Sequence, residues 1–386
     1  MTFKTRLSVL LICTPILAFV IIGGLMGRAS ALGNDETFQH LRVFDDVVSL
    51  VLSNYVEEVK VDKVMEGAMR GLADGLDPDS AYLNVAQVRE VEGGKPLPEG
   101  QVGLELTRQF YLRVIAARDN SPAAKAGIQT ADYIRAIDGK ATRDMSVFEG
   151  VRLLRGQPGS KVVLTVLRGN AADPHDVTLV REQPAAVPVT AKMLDSIGYL
   201  RIPTFSSTTA SEVQQRASEL VTSGAKSLIV DVRHNAEGPI DAGIETARLF
   251  VKSGTLAIKA GRENAPRETI IAKTGDGALT LPVTILVTAG TSGAAEVFAA
   301  ALEGNKRAEL VGEHTIGRAA VQKLVKLPEN RGLWLTYQRY FHPSGEPLHG
   351  PGLKPTVEVA EPDVDFGAPP PAADAILDAA LERLKK

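Results

Sequence analysis

From residue 196 onward the sequence alternates short, wholly apolar stretches with longer amphipathic ones. The expected strands and helices follow one another in the order Gly198–Ile202, Ala210–Ser223, Ser227–Val232, Ala242–Phe250, Val283–Val287 and Ala294–Leu302. Strands that are apolar on both faces are typical of a sheet covered by helices, which βαβ units produce. The sequence therefore predicts an α/β fold, within the broader class of mixed α+β proteins, whose βαβ core spans residues 184–366.

Residues 99–183 follow a different pattern, in which short strands are separated by turn signals. Strands are expected at Val102–Leu106, Leu112–Ala116, Tyr133–Ile137 and Val162–Leu167, with a helix at Val147–Leu154. Pro- and Gly-rich segments at 92–100 and 184–188 bound this stretch. The pattern predicts a small, independent, barrel-like domain inserted ahead of the βαβ core.

Residues 1–32 differ in composition from the rest of the chain. Lys4 and Arg6 precede an apolar run over residues 7–26, and Ala29-Ser30-Ala31 follows. This arrangement is typical of an export signal, and a run of about 20 apolar residues is also long enough to span a bilayer. The sequence predicts a periplasmic or extracytoplasmic protein, either released by cleavage after Ala31 or anchored in the inner membrane through residues 7–26.

The segments on either side of the two domains are expected to be helical. Apolar residues at helical spacing in segment 33–98 predict two amphipathic helices, broken near Val59-Lys60. In segment 367–386, a Pro-rich linker precedes a last helix from Asp374 onward.

Composition excludes several kinds of site. Cys13, the only cysteine, lies in the apolar run, so a disulfide, a thiolate zinc site and a cysteine nucleophile are all excluded from the exported part. None of the six histidines has metal-ligand spacing, so neither a metal nor a cofactor is expected. The net charge of −3 and the lack of a basic run make nucleic acid an unexpected partner.

Ten short motifs occur in a fixed order between residues 38 and 386. They are Gly71–Leu83, Gln101–Leu106, Ser121–Ile128, Ala136–Gly139, Gly198–Ile202, Asp231–Arg233, Val311–Glu313, Val321–Gln322, Tyr340–Gly345 and Gly352–Pro355. In this order they resemble the carboxyl-terminal-processing, or tail-specific, peptidases, which are serine/lysine enzymes with an inserted PDZ domain. The resemblance implies a PDZ domain at 99–183 and a protease-like domain at 184–366.

The inserted domain also has features of a peptide-binding site. Successive exposed amides at Val102, Gly103 and Leu104 would form a nest for a carboxylate, and the following strand would have a free edge for a peptide. Gly103 would let the backbone approach the ligand closely. The sequence predicts binding of apolar protein C-termini, the alternative being that these residues only form a hairpin.

The positions that carry catalysis in the family are changed here. In the family the nucleophilic Ser lies three residues before a Glu at a helix start, and a Lys base follows that Glu. Glu296 corresponds to that Glu, which places Gly293 at the nucleophile position and Arg318, 22 residues after Glu296, at the base position. Because a guanidinium has a pKa above about 12, Arg318 cannot accept the proton of a hydroxyl.

A third departure lies in the segment that would supply an oxyanion-hole amide. Where the family has Asn-Pro-Gly-Gly, this chain has Asn-Ala followed by Glu237 and Gly238, which would place a carboxylate near the developing negative charge. Loss of one oxyanion donor lowers the rate about 10²- to 10³-fold. Together the changes predict a pseudopeptidase that binds unstructured protein C-termini without cleaving them.

Two alternatives remain open. Ser292 could act as a displaced nucleophile with His314 or Lys323, which would make the chain an active serine endopeptidase. One residue along a helix turns a side chain by about 100°, so Ser292 is expected instead to cap the helix together with Thr291. In the other alternative the chain is a scaffold that pairs with an intact paralogous protease, or with itself, through its terminal helices.

Overall fold

The computed structural model describes residues 38–94, 96–169, 173–263, 265–369 and 371–385. The predicted signal segment, 1–32, lies outside these ranges. None of the helices within them is both long enough and apolar enough to cross a bilayer. Within these ranges the chain divides into two compact units, one ending at Gly71 and the other beginning at Leu72.

The N-terminal segment contains the two helices that its apolar spacing predicts. Residues 38–54 are helical (α1), and α2 spans Val61–Asp74, so the break falls at residues 55–60. A short strand, β1 (Ala81–Leu83), and a helix, α3 (Val85–Glu92), follow. The α3 helix begins at a capping box, in which Asn84 accepts from the Gln87 amide and the Gln87 side chain accepts from the Asn84 amide.

The inserted domain is a sheet of six strands with two helices. Its elements are β2 (Leu104–Gln109), β3 (Tyr111–Ala117), α4 (Pro122–Lys125), β4 (Tyr133–Ile137), β5 (Lys140–Ala141), α5 (Val147–Leu154), β6 (Lys161–Leu167) and β7 (His175–Val180). The strand order is β2-β3-β4-β6-β7, with β5 paired to β4. The predicted strands and helix are therefore confirmed, except that the first strand begins at Leu104 instead of Val102. β2 is an end strand whose outer edge pairs with no strand in the described part of the chain.

The βαβ core is a second six-stranded sheet. Its strands are β8 (Thr190–Leu194), β9 (Ile197–Arg201), β10 (Ser227–Asp231), β13 (Val283–Val287), β14 (Ala308–Gly312) and β17 (Val357–Glu358). The order is β17-β14-β13-β10-β9-β8, and every pairing except β8–β9 is parallel. Every residue of β10 and β13 is buried, as expected for strands covered on both faces.

Helices cover both faces of this sheet. The helices are α6 (Thr209–Thr222), α7 (Ile240–Ala247) and α8 (Ala294–Gly304) on one face and α9 (Ala375–Leu384) on the other. Val230 and Ile285 pack towards the first three helices, whereas Ile229 and Leu286 pack towards α9. This alternation of sides is the physical reason that these strands are apolar throughout.

An antiparallel sheet that the sequence analysis did not predict completes the chain. It consists of β1, β11 (Thr255–Ala260), β12 (Glu268–Ile271), β15 (Ala320–Lys326) and β16 (Gly332–Phe341), in the order β1-β16-β11-β12 with β15 paired to β16. Because β1 pairs with β16 over Ala81–Leu83, the turn before β1 is held against the protease-like domain.

Candidate functional site

Gly293 lies at the tight turn between β13 and α8. Its backbone angles, φ 59° and ψ −112°, lie in a region that glycine adopts far more readily than other residues. A Cβ added there would lie 3.8 Å from the nearest atom, the carbonyl oxygen of Arg318. The predicted nucleophile position and the predicted base position are thus neighbours, and the space beside Gly293 could hold a side chain.

Glu296, in the first turn of α8, is hydrogen-bonded to the backbone at both Gly293 and Arg318. Its carboxylate accepts hydrogen bonds from the Gly293 amide at 3.1 Å and the Arg318 amide at 2.8 Å. It also accepts from the Gly317 amide at 2.6 Å and the Thr315 hydroxyl at 2.5 Å. Burial raises the pKa of Glu296, while these bonds act in the opposite direction by favouring the charged form. Glu296 therefore acts as a buried acceptor that orders both turns.

The Arg318 side chain is held by a buried carboxylate. Its Nε lies 2.7 Å from Oδ1 of Asp79, and its Nη2 lies 2.5 Å from the same atom. The Asp79 side chain is only 5% exposed. Burial disfavours the guanidinium charge, but Asp79, with smaller contributions from Glu105 and Glu296, outweighs burial and raises the pKa of Arg318 above its usual value. Arg318 is thus a paired cation with no capacity to accept a proton.

Arg318 also reaches the free edge of the inserted domain. Its Nη1 donates to the carbonyl oxygen of Leu106 on β2 at 2.7 Å. Val114, opposite Leu106, turns both its amide and its carbonyl towards residues 131–132. The Leu106 carbonyl consequently points away from β3, towards the edge where an added peptide strand would bond.

The predicted carboxylate nest has free amides, but it is not exposed. Val102 and Leu104 are buried, which corrects the expectation of exposed amides. The Gly103 φ of 75° fits the predicted turn, and a Cβ there would lie 2.3 Å from the Cβ of Ser121. Within the described ranges the amides of Val102 and Gly103 donate no hydrogen bond. Buried amides without acceptors are rare, so the Val102 and Gly103 amides are available to donate to the acceptor atoms of a ligand.

Glu237 directs its carboxylate to the inserted domain. Oε1 of Glu237 lies 3.2 Å from Nη1 of Arg118, which follows β3. Gly238 has a φ of 115°, and a Cβ there would lie 2.0 Å from the carbonyl oxygen of Phe205, so this backbone requires glycine. The Glu237 carboxylate thus forms a salt bridge to the neighbouring domain, and its placement near the oxyanion position stays a prediction.

Ser292 is not paired with either proposed base in the part of the chain that the structure describes. The His314 ring lies 3.0 Å from the carbonyl oxygen of Thr315, and the Lys323 ammonium lies 4.7 Å from the centre of the Tyr337 ring. Ser292 is buried, and its amide donates to the Asn235 carbonyl. This geometry offers no support for activation of its hydroxyl.

The prediction that Ser292 and Thr291 cap α8 is wrong. The helix begins at Ala294 with Gly293 as its N-cap and no side-chain cap. The Thr291 hydroxyl instead accepts from the Thr288 amide and donates to the Val232 carbonyl. Both bonds of the Thr291 hydroxyl therefore lie outside α8. The Gly293 amide donates to the Glu296 carboxylate.

Two residues that contact the candidate site were missed by the sequence analysis. Asp79 lies in the first of the ten motifs, and Arg118 lies just before the third. The only available signal was charge complementarity with Arg318 and Glu237, and many other charged residues offered the same signal.

The pH dependence of stability should report on Glu105, beside Arg318. Burial is the main cause that raises the pKa of Glu105 from 4.5 to about 7, with Arg318 opposing it. A carboxyl with a raised folded-state pKa stabilises the fold below pH 4.5 and loses that contribution as the pH rises through about 7. Relative to Glu105→Gln, the wild-type protein should therefore lose about 1 kcal/mol or less between pH 5 and pH 8, since solvent reaches part of the side chain.

Thermal unfolding of both proteins at several pH values measures this difference. Glu329→Gln, at an exposed position, controls for the loss of one surface carboxylate. A difference between wild type and Glu105→Gln that stays constant from pH 5 to pH 8 would contradict the assignment.

The fold and the two neighbouring turns define a serine-type peptidase architecture with an inserted PDZ domain. Residues 196–359 match Peptidase family S41, and residues 113–168 match the PDZ domain. The predicted domain boundaries remain predictions.

Relatives agree with this class. A carboxyl-terminal-processing protease of Synechocystis sp. is 35% identical over 91% of this chain and 83% of its own length. A carboxy-terminal-processing protease of Bartonella bacilliformis is 31% identical over 87% of this chain and 79% of its own. The solved structure of a photosystem II D1 C-terminal processing protease superposes with a TM-score of 0.68 at 27% identity, covering 82% of this chain and 92% of the other. The chain belongs to the carboxy-terminal-processing protease family.

Proposed function

We propose that the chain binds unstructured protein C-termini without cleaving them, at the cell envelope where residues 7–26 would anchor it. The observation that carries the proposal is the pair of Gly293, which has no nucleophilic atom, and Arg318, whose guanidinium is neutralised by Asp79. A permanently charged group cannot take a hydroxyl proton, and here there is no hydroxyl at position 293 to give one. The relatives are named as proteases. The proposal of a noncatalytic role therefore rests on the side chains of this chain, not on the relatives.

The inserted domain supplies the parts that tail binding needs. The amides of Val102 and Gly103 can receive a terminal carboxylate, and the outer edge of β2 can pair with the peptide backbone. Near this edge, a cleft is lined by apolar side chains that include Val147, Phe148 and Trp334 and by charged ones that include Arg152 and Arg318. Rings of Phe148 and Trp334 lie 5.6 Å apart between centroids. This cleft suits the apolar side chains of a tail.

A peptide pair tests the binding half of the proposal. The full-length chain should bind an unstructured peptide that ends in small apolar residues with a free carboxylate, and amidation of that end should weaken binding about ten-fold or more. A hydrogen-bonded charge contributes about 1.5–3 kcal/mol, which corresponds to that factor. Isothermal titration with both peptides measures it, and equal affinities would remove the proposal.

A cleavage assay tests the noncatalytic half. A labelled unstructured protein with the same tail should remain intact when incubated with the full-length chain. Cleavage that disappears in Ser292→Ala would instead establish the displaced-nucleophile endopeptidase. Ser223→Ala serves as the matched control, because Ser223 is exposed and distant from Ser292 in the sequence.

A further inference from the structure

The salt bridge between Glu237 and Arg118 joins the former oxyanion segment to the carboxylate nest. Arg118 lies beside the nest, because its amide donates to the Gly103 carbonyl at 2.8 Å. A Cβ added to Gly103 would lie 3.5 Å from the Arg118 Cβ. The Arg118 side chain is 10% exposed, and among the described residues Glu237 is the only carboxylate within salt-bridge distance of it.

One residue of the nest, Gly103, and Arg118 line the same small cavity, which Glu105 lines as well. Glu237 also lines it. Two buried amides without acceptors and a mostly buried guanidinium together suit a carboxylate, because a buried donor left without an acceptor is costly. The Glu237 carboxylate accepts from Nη1 of Arg118 but accepts no hydrogen bond from the Val102 or Gly103 amide in the described part of the chain.

The Glu237 contact is well suited to displacement. The Glu237 side chain is 27% exposed, and ion pairs with this degree of exposure contribute about 1 kcal/mol or less. A terminal carboxylate that bonds both the nest amides and Arg118 gains more, since it satisfies donors that Glu237 leaves free. The backbone at Glu237 is fixed by Gly238 and by the bond from the Phe205 amide, so release requires only movement of the side chain.

Building on the function proposed above, we propose that Arg118 is the residue that recognises the tail carboxylate, and that Glu237 is its intramolecular competitor. A bound tail breaks the Arg118–Glu237 salt bridge and frees Glu237 in the loop between β10 and α7. Tail recognition by the PDZ domain is thereby coupled to the former catalytic segment of this chain.

Affinities of four variants for the free-carboxyl peptide and its amide test this assignment. Glu237→Gln should bind the free-carboxyl peptide about three- to ten-fold more tightly, which corresponds to about 1 kcal/mol, and should leave the affinity for the amide unchanged. Arg118→Gln should remove most of the preference for the free carboxylate, and Arg118→Lys should retain part of it. In the double variant Arg118→Gln/Glu237→Gln the change at 237 should have no further effect.

Glu361→Gln is the matched control, since its carboxylate has similar exposure, 32%, and pairs with His234 on the same loop as Glu237. It should bind both peptides as the wild type does. If the wild type itself does not distinguish the two peptides, the proposed function fails. If it distinguishes them and Glu237→Gln binds no more tightly, the competitor role alone is wrong; a full preference retained in Arg118→Gln would overturn the role of Arg118.

Discussion

Gly293→Ser combined with Arg318→Lys is expected to cleave a tail-bearing substrate at least about ten-fold more slowly than the triple variant that also carries Asp79→Asn. Asp79 is buried and lies 2.7 Å from Nε of Arg318, so a lysine ammonium at position 318 would meet the same carboxylate. A neighbouring opposite charge shifts a pKa by roughly 1–3 units, which lowers the fraction of free amine about 10- to 1000-fold. Placing a serine and a lysine at the two predicted catalytic positions is therefore insufficient while Asp79 remains.

A serine side chain would fit at position 293, but the backbone there is unfavourable for a serine. A Cβ at Gly293 meets no atom closer than 3.8 Å, yet the left-handed φ of 59° would cost a serine about 1–3 kcal/mol. Thermal unfolding of each variant separates this loss of stability from the effect on rate. Gly293→Ala with Arg318→Lys and Asp79→Asn is the control without a hydroxyl and should be inactive. Equal cleavage rates for the double and triple variants would contradict the role of Asp79.

Glu296→Ala is expected to lower the free energy of unfolding of the protease-like domain by about 3–5 kcal/mol. The substitution leaves four donors without their acceptor: the amides of Gly293, Gly317 and Arg318 and the hydroxyl of Thr315. Glu296→Gln should restore little of the loss. Each of the two carboxylate oxygens accepts two hydrogen bonds. The NH2 group of a glutamine would therefore face two of these donors, whichever way the amide is turned.

Denaturant unfolding of the full-length chain, followed by far-UV circular dichroism, measures this loss. Glu303→Ala is the matched control on the same helix, because its carboxylate is 39% exposed and pairs with His342. The control should cost about 1 kcal/mol or less. Similar losses for Glu296→Ala and Glu303→Ala would show that the buried carboxylate does not join the two turns.

Strands with strong burial requirements could be predicted from the sequence. Val283–Val287 is recognisable as a strand because both of its faces are covered, which demands apolar residues throughout. The PDZ strands follow from alternating burial, as in Lys161–Leu167. By contrast, Ala320–Lys326 and Gly332–Phe341 are only partly buried, so mixed polar and apolar residues conceal their strand pattern. Their pairing with each other and with β1 emerges only in the folded chain.

The same division applies to the candidate site. Glycine at 293 and arginine at 318 are chemical identities that the sequence alone determines, and they suffice to predict the loss of a nucleophile and a base. The partners of the charged side chains were decided by tertiary structure: Arg318 meets Asp79 from 239 residues away, and Glu237 meets Arg118 from 119 residues away. A side chain's chemistry is local, whereas its electrostatic partner depends on which distant segments the packing of sheets and helices brings within a few ångströms.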